Sequence, residues 1–239
     1  RMSKHLDPSL FNIDIIAPND ADVKYLGEIV NPNIFESSTN RFDRAGLFST
    51  DIFGQVGSQA RNTTLGYIDL KLKILHPFVF QNLCTLNSKY EDIISGKTRA
   101  KLDRDKWDLV EDKNGETGYT FFLSVLPRIR FSDNNSNERK YKIDLVRKYA
   151  KDEYMFNKFI VLPAGLRDYR VDESGQPVED EVNTLYRRVL AVTALLKTIK
   201  IQDSNLYQLD PIRYKLQKSV NAVFEHFLNL LNGKYSFIQ

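Results

Sequence analysis

The sequence predicts an α+β fold: an irregular mixed region of short strands with one β-hairpin, followed by a projecting antiparallel two-helix coiled coil. Three observations carry this expectation. Leu65 to Leu75 alternates, which places Ile68, Leu70, Leu72 and Ile74 on one face of a strand. Asp112-Lys113-Asn114-Gly115 lies between two β-favouring runs, and Asn-Gly is a strong hairpin-turn signal. Two later runs repeat apolar residues at intervals of three and four. These are Val182, Leu185, Val189, Val192, Leu196 and Ile199, then Leu216, Val220, Val223, Phe227 and Leu230.

Taken in order, a strand-like patch, Ile13 to Ile16, comes first. Asn19 and Asp20 can cap a short helix through Tyr25. Asn31-Pro32-Asn33 and Ser37-Ser38-Thr39-Asn40 are loop chemistry. Gly46 to Gly57 holds three glycines and two phenylalanines, which suggests a compact loop with aromatic anchors. His76-Pro77 ends the Leu65 strand, and Phe78 to Leu86 suits a short buried helix. The hairpin is expected over Asp108 to Phe122, a polar loop over Phe131 to Arg139, and a helix over Ile143 to Phe156. Lys158 to Leu162 reads as a strand broken by Pro163 and Gly165. Asp180 is a good N-cap for the first long helix. The link from Gln202 to Pro211 is short, so the two helices should run antiparallel, and Asn232-Gly233 supplies the stop of the second. Neither helix is stable alone at this length; each needs the other's seam.

Composition bounds the function. The 239 residues suffice for one large domain or two small ones, and an apolar share of 42% allows a real core. Charged residues make up 27% with a net charge of +3. That is a weaker bias than a stand-alone nucleic-acid binder usually shows. It suits a subunit that lends one basic face to a larger groove, and equally an ordinary protein. Cys84 is the one cysteine, so no internal disulfide or thiolate zinc site can form. It sits in an apolar run and reads as a buried thiol. His5, His76 and His226 lack ligand spacing. The acidic groups Asp172-Glu173 and Glu179-Asp180-Glu181 fall in a loop and at a helix start, where the helix dipole stabilises carboxylates. No constellation therefore supports independent catalysis. No apolar run is long enough to span a membrane, and the cysteine usage fits a reducing cytoplasm.

Several segments, in order, resemble one family. Gly46-Leu47-Phe48 followed by Ile52-Phe53-Gly54 resembles its G-L-[FY]…F-G loop. Gly66-Tyr67-Ile68-Asp69-Leu70, with His76 beyond, resembles G-H-I-E-L…H. Phe159 to Arg167 is similar to V-L-P-P-x-L-R-P, and Leu185-Tyr186-Arg187-Arg188-Val189 to L-Y-R-R-V. Leu216-Gln217, Val220-Asn221, Phe224 and Gly233-Lys234 resemble the helix and connection that follow. The family is the largest, β′-like subunit of cellular-type DNA-dependent RNA polymerases. The resemblance implies a clamp core with a zipper-like loop over 1–160, a strand and lid over 161–180, clamp helices over 181–231, and a connection to the catalytic barrel over 232–239. The family's four-cysteine zinc ribbon looks deleted, because only Gln55 to Leu65 fills its place. The rudder looks lost or shortened. The Asp-rich loop that holds catalytic magnesium is expected on another segment or chain, so this chain binds no cofactor. Such trimming resembles the split-subunit polymerases of giant bacteriophages, which would place the protein in the host-cell cytoplasm.

The resemblance also assigns roles. Asp168 to Glu179 would be the lid, a wedge at the upstream end of the RNA–DNA hybrid, with Arg167, Arg170, Asp172, Gly175 and Gln176 as its nucleic-acid set. Arg41 and Arg44 would approach DNA from the zipper. Other basic candidates are Lys97, Arg99, Lys101, Arg104, Arg128, Arg130 and Lys234. The clamp helices would dock a sigma-like or phage-specific initiation subunit through Arg187, Arg188, Val192, Leu195, Leu206, Tyr207 and Arg213. The stretch Leu190 to Leu195 is more apolar than the family's usual polar pattern, which points to a dedicated partner. Leu206, Tyr207 and Leu209 at the tip either belong to that surface or cap the seam. Partners would be a β-like subunit, the catalytic β′ portion, template DNA and the hybrid. The alternative is a stand-alone scaffold or regulator that uses the helical hairpin to bind one partner protein, or an independent nucleic-acid-binding module.

Overall fold

The computed structural model describes the backbone of residues 18–236 and the side chains of residues 18–229. The expected Ile13–Ile16 strand and the side chains of Leu230 and Lys234 lie outside the described residues. In chain order the elements are α1 (Asp20–Val23), β1 (Gly27–Glu28), α2 (Thr50–Phe53), α3 (Gln59–Thr63), β2 (Gly66–Ile74), α4 (Pro77–Leu86), α5 (Tyr90–Ser95), β3 (Ala100–Asp103), β4 (Asp108–Glu111), α6 (Tyr119–Val125), α7 (Asn137–Tyr149), β5 (Phe156–Val161), β6 (Arg170–Val171), β7 (Pro177–Val178), α8 (Glu181–Ala194) and α9 (Asp210–Ser236). The fold is mixed helix and strand, as expected.

The described residues form two compact units that interleave along the chain. The first comprises 73–155 and 200–218, the second 18–72, 156–199 and 219–236. They do not follow the linear boundaries at 160, 180 and 231, because β2 and α9 each run from one unit into the other.

The first unit is built on an apolar cluster that includes Leu75, Val79, Phe80, Leu83, Tyr90, Phe122 and Val146. α4 forms because Pro77 pre-sets the first turn and the His76 ring nitrogen Nδ1 accepts from the Phe78 amide at 3.1 Å. α7 packs against it. Within this cluster the Leu75 backbone is fully matched by side chains. Its amide donates to Tyr119 Oη and Gln217 Oε1, and its carbonyl accepts from Gln217 Nε2 at 2.9 Å. Buried polar groups matched in this way hold one arrangement.

The expected Asp108–Phe122 hairpin is a correction. β4 pairs antiparallel with β3, not with the residues after the Asn-Gly turn. The turn itself exists: the Gly115 amide donates to the Asp112 carbonyl at 2.9 Å. It returns the chain to Ala100, which bridges Glu116. Gly118, at φ +105°, then redirects the backbone into α6, so Tyr119 to Val125 is helix. β propensity lost here to burial, since Tyr119, Phe121, Phe122 and Val125 enter the core on helical spacing. The helix expected over Ile143–Phe156 starts earlier, because Ser136 caps it, and it ends at Tyr149.

In the second unit β1, β2 and β5 form one sheet in the order β1-β2-β5, with β1 parallel to β2. Ile68, Leu70, Leu72 and Ile74 are all buried, as the alternation requires. Phe48 and Phe53 are buried anchors of the Gly46–Gly57 segment. α8 buries Val182, Asn183, Leu185, Tyr186, Val189, Leu190 and Thr193. That stripe is wider than an a/d seam and is the pattern of a core-facing helix. α8 also stops at Ala194, short of the expected Ile199. The chain winds into tighter turns there: Leu195 donates to Val192, Leu196 to Thr193 and Ile199 to Leu196. α9 continues to Ser236, through Asn232-Gly233, so that pair does not end the helix.

Candidate nucleic-acid interface

The second unit presents two small exposed hairpins on a common buried base. One is the antiparallel pair β6 and β7, with Arg170 opposite Val178 and Val171 opposite Pro177. It occupies the lid-like segment. Asp172 makes its turn. The Oδ1 atom accepts from the Ser174 amide at 2.9 Å, the Ser174 hydroxyl at 2.7 Å and the Gln176 amide at 2.9 Å. The Asp172 amide donates to the Gln176 carbonyl, and Gly175 supplies the left-handed residue at φ +84°. The Ser174 and Gln176 donors hold the Asp172 carboxyl below the usual range. Asp172 and Gly175 are thus committed to the turn, as is the Gln176 backbone. Arg170 is the exposed cation of the hairpin.

The other is a short ribbon in which Phe35 bridges Phe42. The Glu36 amide donates to the Arg41 carbonyl at 2.9 Å and the Asp43 amide to the Ile34 carbonyl at 3.0 Å. Arg41 and Arg44 are exposed, and Arg44 lies 3.5 Å from Glu36 and 3.9 Å from Asp51.

Beneath both lies a polar anchor. Arg61, 1% exposed, donates from Nε and Nη2 to the Asp168 carboxylate at 2.8 and 3.0 Å. It also donates to the carbonyls of Gly54 and Phe48 at 2.8 and 3.0 Å. One guanidinium thereby ties the Gly46–Gly57 segment to the root of the hairpin. Arg167, 2% exposed, donates to the Leu162 carbonyl and to Asn183 Oδ1, while Asn183 Nδ2 donates back to the Arg167 carbonyl at 2.8 Å. Its guanidinium also lies 5.1 Å from the Phe53 ring centroid and 5.7 Å from that of Tyr186. Burial pulls Arg167 down to about 10, which leaves it cationic at neutral pH. Tyr186 Oη accepts from the Leu162 amide and donates to the Ile160 carbonyl, which fixes the end of β5 to α8. At the far end of the hairpin, Arg187 grips the Glu179 carboxylate with two bonds of 2.8 Å.

The site residues expected from sequence therefore separate. Arg167 is a correction: it is buried with its guanidinium engaged, so it holds the hairpin and does not reach a phosphate. Arg170, Arg41 and Arg44 stay at the surface. On α8, Arg188 and Leu195 are exposed, the latter at 51%, Val192 is half-buried, and Arg187 is occupied by Glu179. Leu206, Tyr207 and Arg213 belong to the first unit, where Arg213 donates to the Lys73 carbonyl at 2.7 Å and lies 4.2 Å from the Tyr119 ring centroid. Also in the first unit, Arg99 donates to the Gly115 carbonyl, Lys101 pairs with Asp112, and Arg130 lies over Trp107. Sequence reasoning missed Arg61 and Asn183. Each is one polar residue in a polar-looking stretch, and nothing local marks it as buried. Among the described residues no group of three or more His, Cys, Asp or Glu could hold a metal ion, and no helix is long and apolar enough to cross a membrane. Comparisons of the sequence with protein-family models and with curated proteins found no match.

Proposed function

We propose that this chain is the clamp-and-lid part of a β′-like subunit of a multisubunit, DNA-directed RNA polymerase, with nucleotidyl transfer performed elsewhere in the assembly. One observation carries the reading. An exposed hairpin stands between a buried strand end and a capped core helix, and its root is fixed by Arg61 and Arg167. A wedge that separates strands needs this combination of rigid root and solvent-exposed tip. The order strand, hairpin, helix is the order of the motifs that resemble the family.

In this reading the hairpin parts RNA from template, with Arg170 on phosphate. Arg41 and Arg44 face upstream DNA. Arg188, Ala191 and Leu195 share the exposed strip of α8 and form the docking face for a dedicated initiation subunit. α8 and the second half of α9 pair antiparallel as clamp helices, which agrees with His226 lying 3.9 Å from both Asp180 and Glu181 at the α8 start. The catalytic magnesium belongs to the chain that carries the Asp-rich loop. The absence of cysteines from Gln55 to Leu65, where α3 lies, favours a trimmed polymerase of giant-bacteriophage type working in the host cytoplasm.

Purification of the tagged chain from the cells that express it tests the proposal. Stoichiometric recovery of a β-like chain and of the chain bearing the magnesium loop is the expected result. Recovery as a lone monomer, or with one unrelated partner, would overturn it and favour the scaffold reading.

A further inference from the structure

The ribbon at 34–43 carries an aromatic stack that the proposed function does not require. Phe35 and Phe42 lie nearly parallel, with ring centroids 5.4 Å apart and planes 9° from each other. Tyr169 sets its ring edge-on to both, at 5.4 Å from Phe35 and 6.3 Å from Phe42. Phe48 closes the cluster 5.7 Å from Phe42, and the Arg61 guanidinium lies 5.4 Å from the Phe42 ring centroid. Phe42, Phe48 and Tyr169 are thus held from several sides. Phe35 is the outermost ring and remains 40% exposed.

Covering an exposed ring at the end of a rigid stack gains free energy. Within the ribbon the uncovered large apolar side chain is Phe35 alone, since the adjoining turn, Ser37 to Arg41, is polar and exposed. That is too small for a stable protein interface, which buries far more. It matches the face of one nucleobase. The nearby cations suit the same ligand. The Arg41 carbonyl accepts from the amide of Glu36, next to Phe35, and Arg170 follows Tyr169; both arginines are exposed. Aromatic platforms flanked by cations are how proteins hold single strands, since every base has a π-face and every nucleotide a phosphate.

We infer that Phe35 is a stacking platform for an unpaired base of single-stranded nucleic acid, with Arg41 and Arg170 on the flanking phosphates. The inference rests on the nucleic-acid reading of this site. It adds an aromatic subsite to a set that was otherwise ionic, and it selects single strands over duplex, whose bases are already stacked.

The test uses the full chain, short labelled oligonucleotides, and matched strands containing 2-aminopurine, whose emission falls when it stacks. Thymidine and uridine strands distinguish DNA from RNA as the source of the base. The wild-type chain should bind single strands more tightly than the matched duplex and quench 2-aminopurine. Phe35→Leu keeps the apolar contact with Phe42 and should weaken single-strand binding on the order of tenfold. It should also restore the emission while leaving the salt dependence unchanged. Arg41→Gln should instead lower the salt slope by about one. Phe35→Tyr should bind as the wild type does. Equal binding and quenching by wild type and Phe35→Leu would overturn the inference, as would equal weakening for single strands and duplex, or a loss that Phe35→Tyr shares. Because these measurements need no other subunit, their failure is distinct from a failure to co-purify with polymerase chains.

Discussion

The two units solve the same problem, a stable interior, by different means. The first buries aliphatic and aromatic side chains around Leu75, Phe80, Tyr90 and Phe122, and its buried polar groups are neutral amides and phenols apart from Asp210. The second has an apolar sheet face but also buries two guanidiniums and Asn183. Apolar packing tolerates swaps of similar volume, because contacts between hydrocarbons are not directional. A buried guanidinium has no such freedom: its donors fit one set of acceptors, and losing one partner leaves a charge uncompensated. The unit that positions exposed hairpins is the one that uses directional, charged anchors.

The largest effect is expected where that contrast is sharpest. Arg61→Met removes two bonds to Asp168 and two to backbone carbonyls, and it leaves the Asp168 carboxylate without its cation. Breaking such a pair costs about 3–5 kcal/mol. Hydrogen exchange should show amides 168–179 losing protection while those of β3 and β4 keep theirs. Adding Asp168→Asn should recover part of the loss, since the stranded charge is then gone. If Arg61→Met leaves both regions as protected as in the wild type, the anchor account fails.

The first unit should break by pH instead. Burial lowers His76 to about 4, from the ordinary 6.5, and its Nδ1 accepts from the Phe78 amide only while unprotonated. A depressed base is held neutral by the fold, so its contribution is fully present above pH 6.5, where folded and unfolded states are both neutral. Between pH 6.5 and 4 the unfolded chain binds the proton first, and stability falls by up to about 3 kcal/mol. Denaturant midpoints across that range should show the decline. His76→Asn keeps a capping acceptor without a titrating group and should flatten it; an unchanged slope would remove His76 as the cause.

Sequence and structure agree best where apolar periodicity alone decides. The alternation in β2 and the 3.6-residue spacing of α8 are visible because their buried positions are apolar, save Asn183 and Thr193. Reading fails where direction or neighbours decide. The residues after Gly115 carry β propensity, yet Gly118 and the need to bury Phe121 and Phe122 make α6. The segment between Pro163 and Asp180 reads from sequence as a loop, and as a lid by resemblance, whereas neither its β6–β7 pairing nor its root is legible there. Arg61 and Asp168 are far apart in the sequence, and neither Ala60-Arg61-Asn62 nor Arg167-Asp168 announces a partner. Arg167 reads from sequence as a cation beside the lid-like segment that reaches outward, whereas it points into the core, since burial cannot be read from a single charged residue.

The smallest effect compares a charged cap with a neutral one across the two units. Asp180 Oδ1 accepts from the Val182 amide at 3.0 Å and opens α8, while in the first unit Ser136 Oγ accepts from the Arg139 amide at 3.4 Å and opens α7. The shorter bond involves a carboxylate facing the positive end of the helix dipole, so Asp180 stabilises by geometry and charge together. Asp180→Ala should cost about 1–2 kcal/mol and Ser136→Ala less than about 1 kcal/mol. Asp180→Asn retains the acceptor and should recover most of the loss, with the remainder reporting the charge. Because Glu179 beside it holds Arg187, loosening of the α8 start should reach β7 before β6. Exchange of the Val178 amide would rise ahead of that of Asp172, whose amide donates to the Gln176 carbonyl at the turn, and equal rates for the two would show that the hairpin is held from its Arg61 root alone.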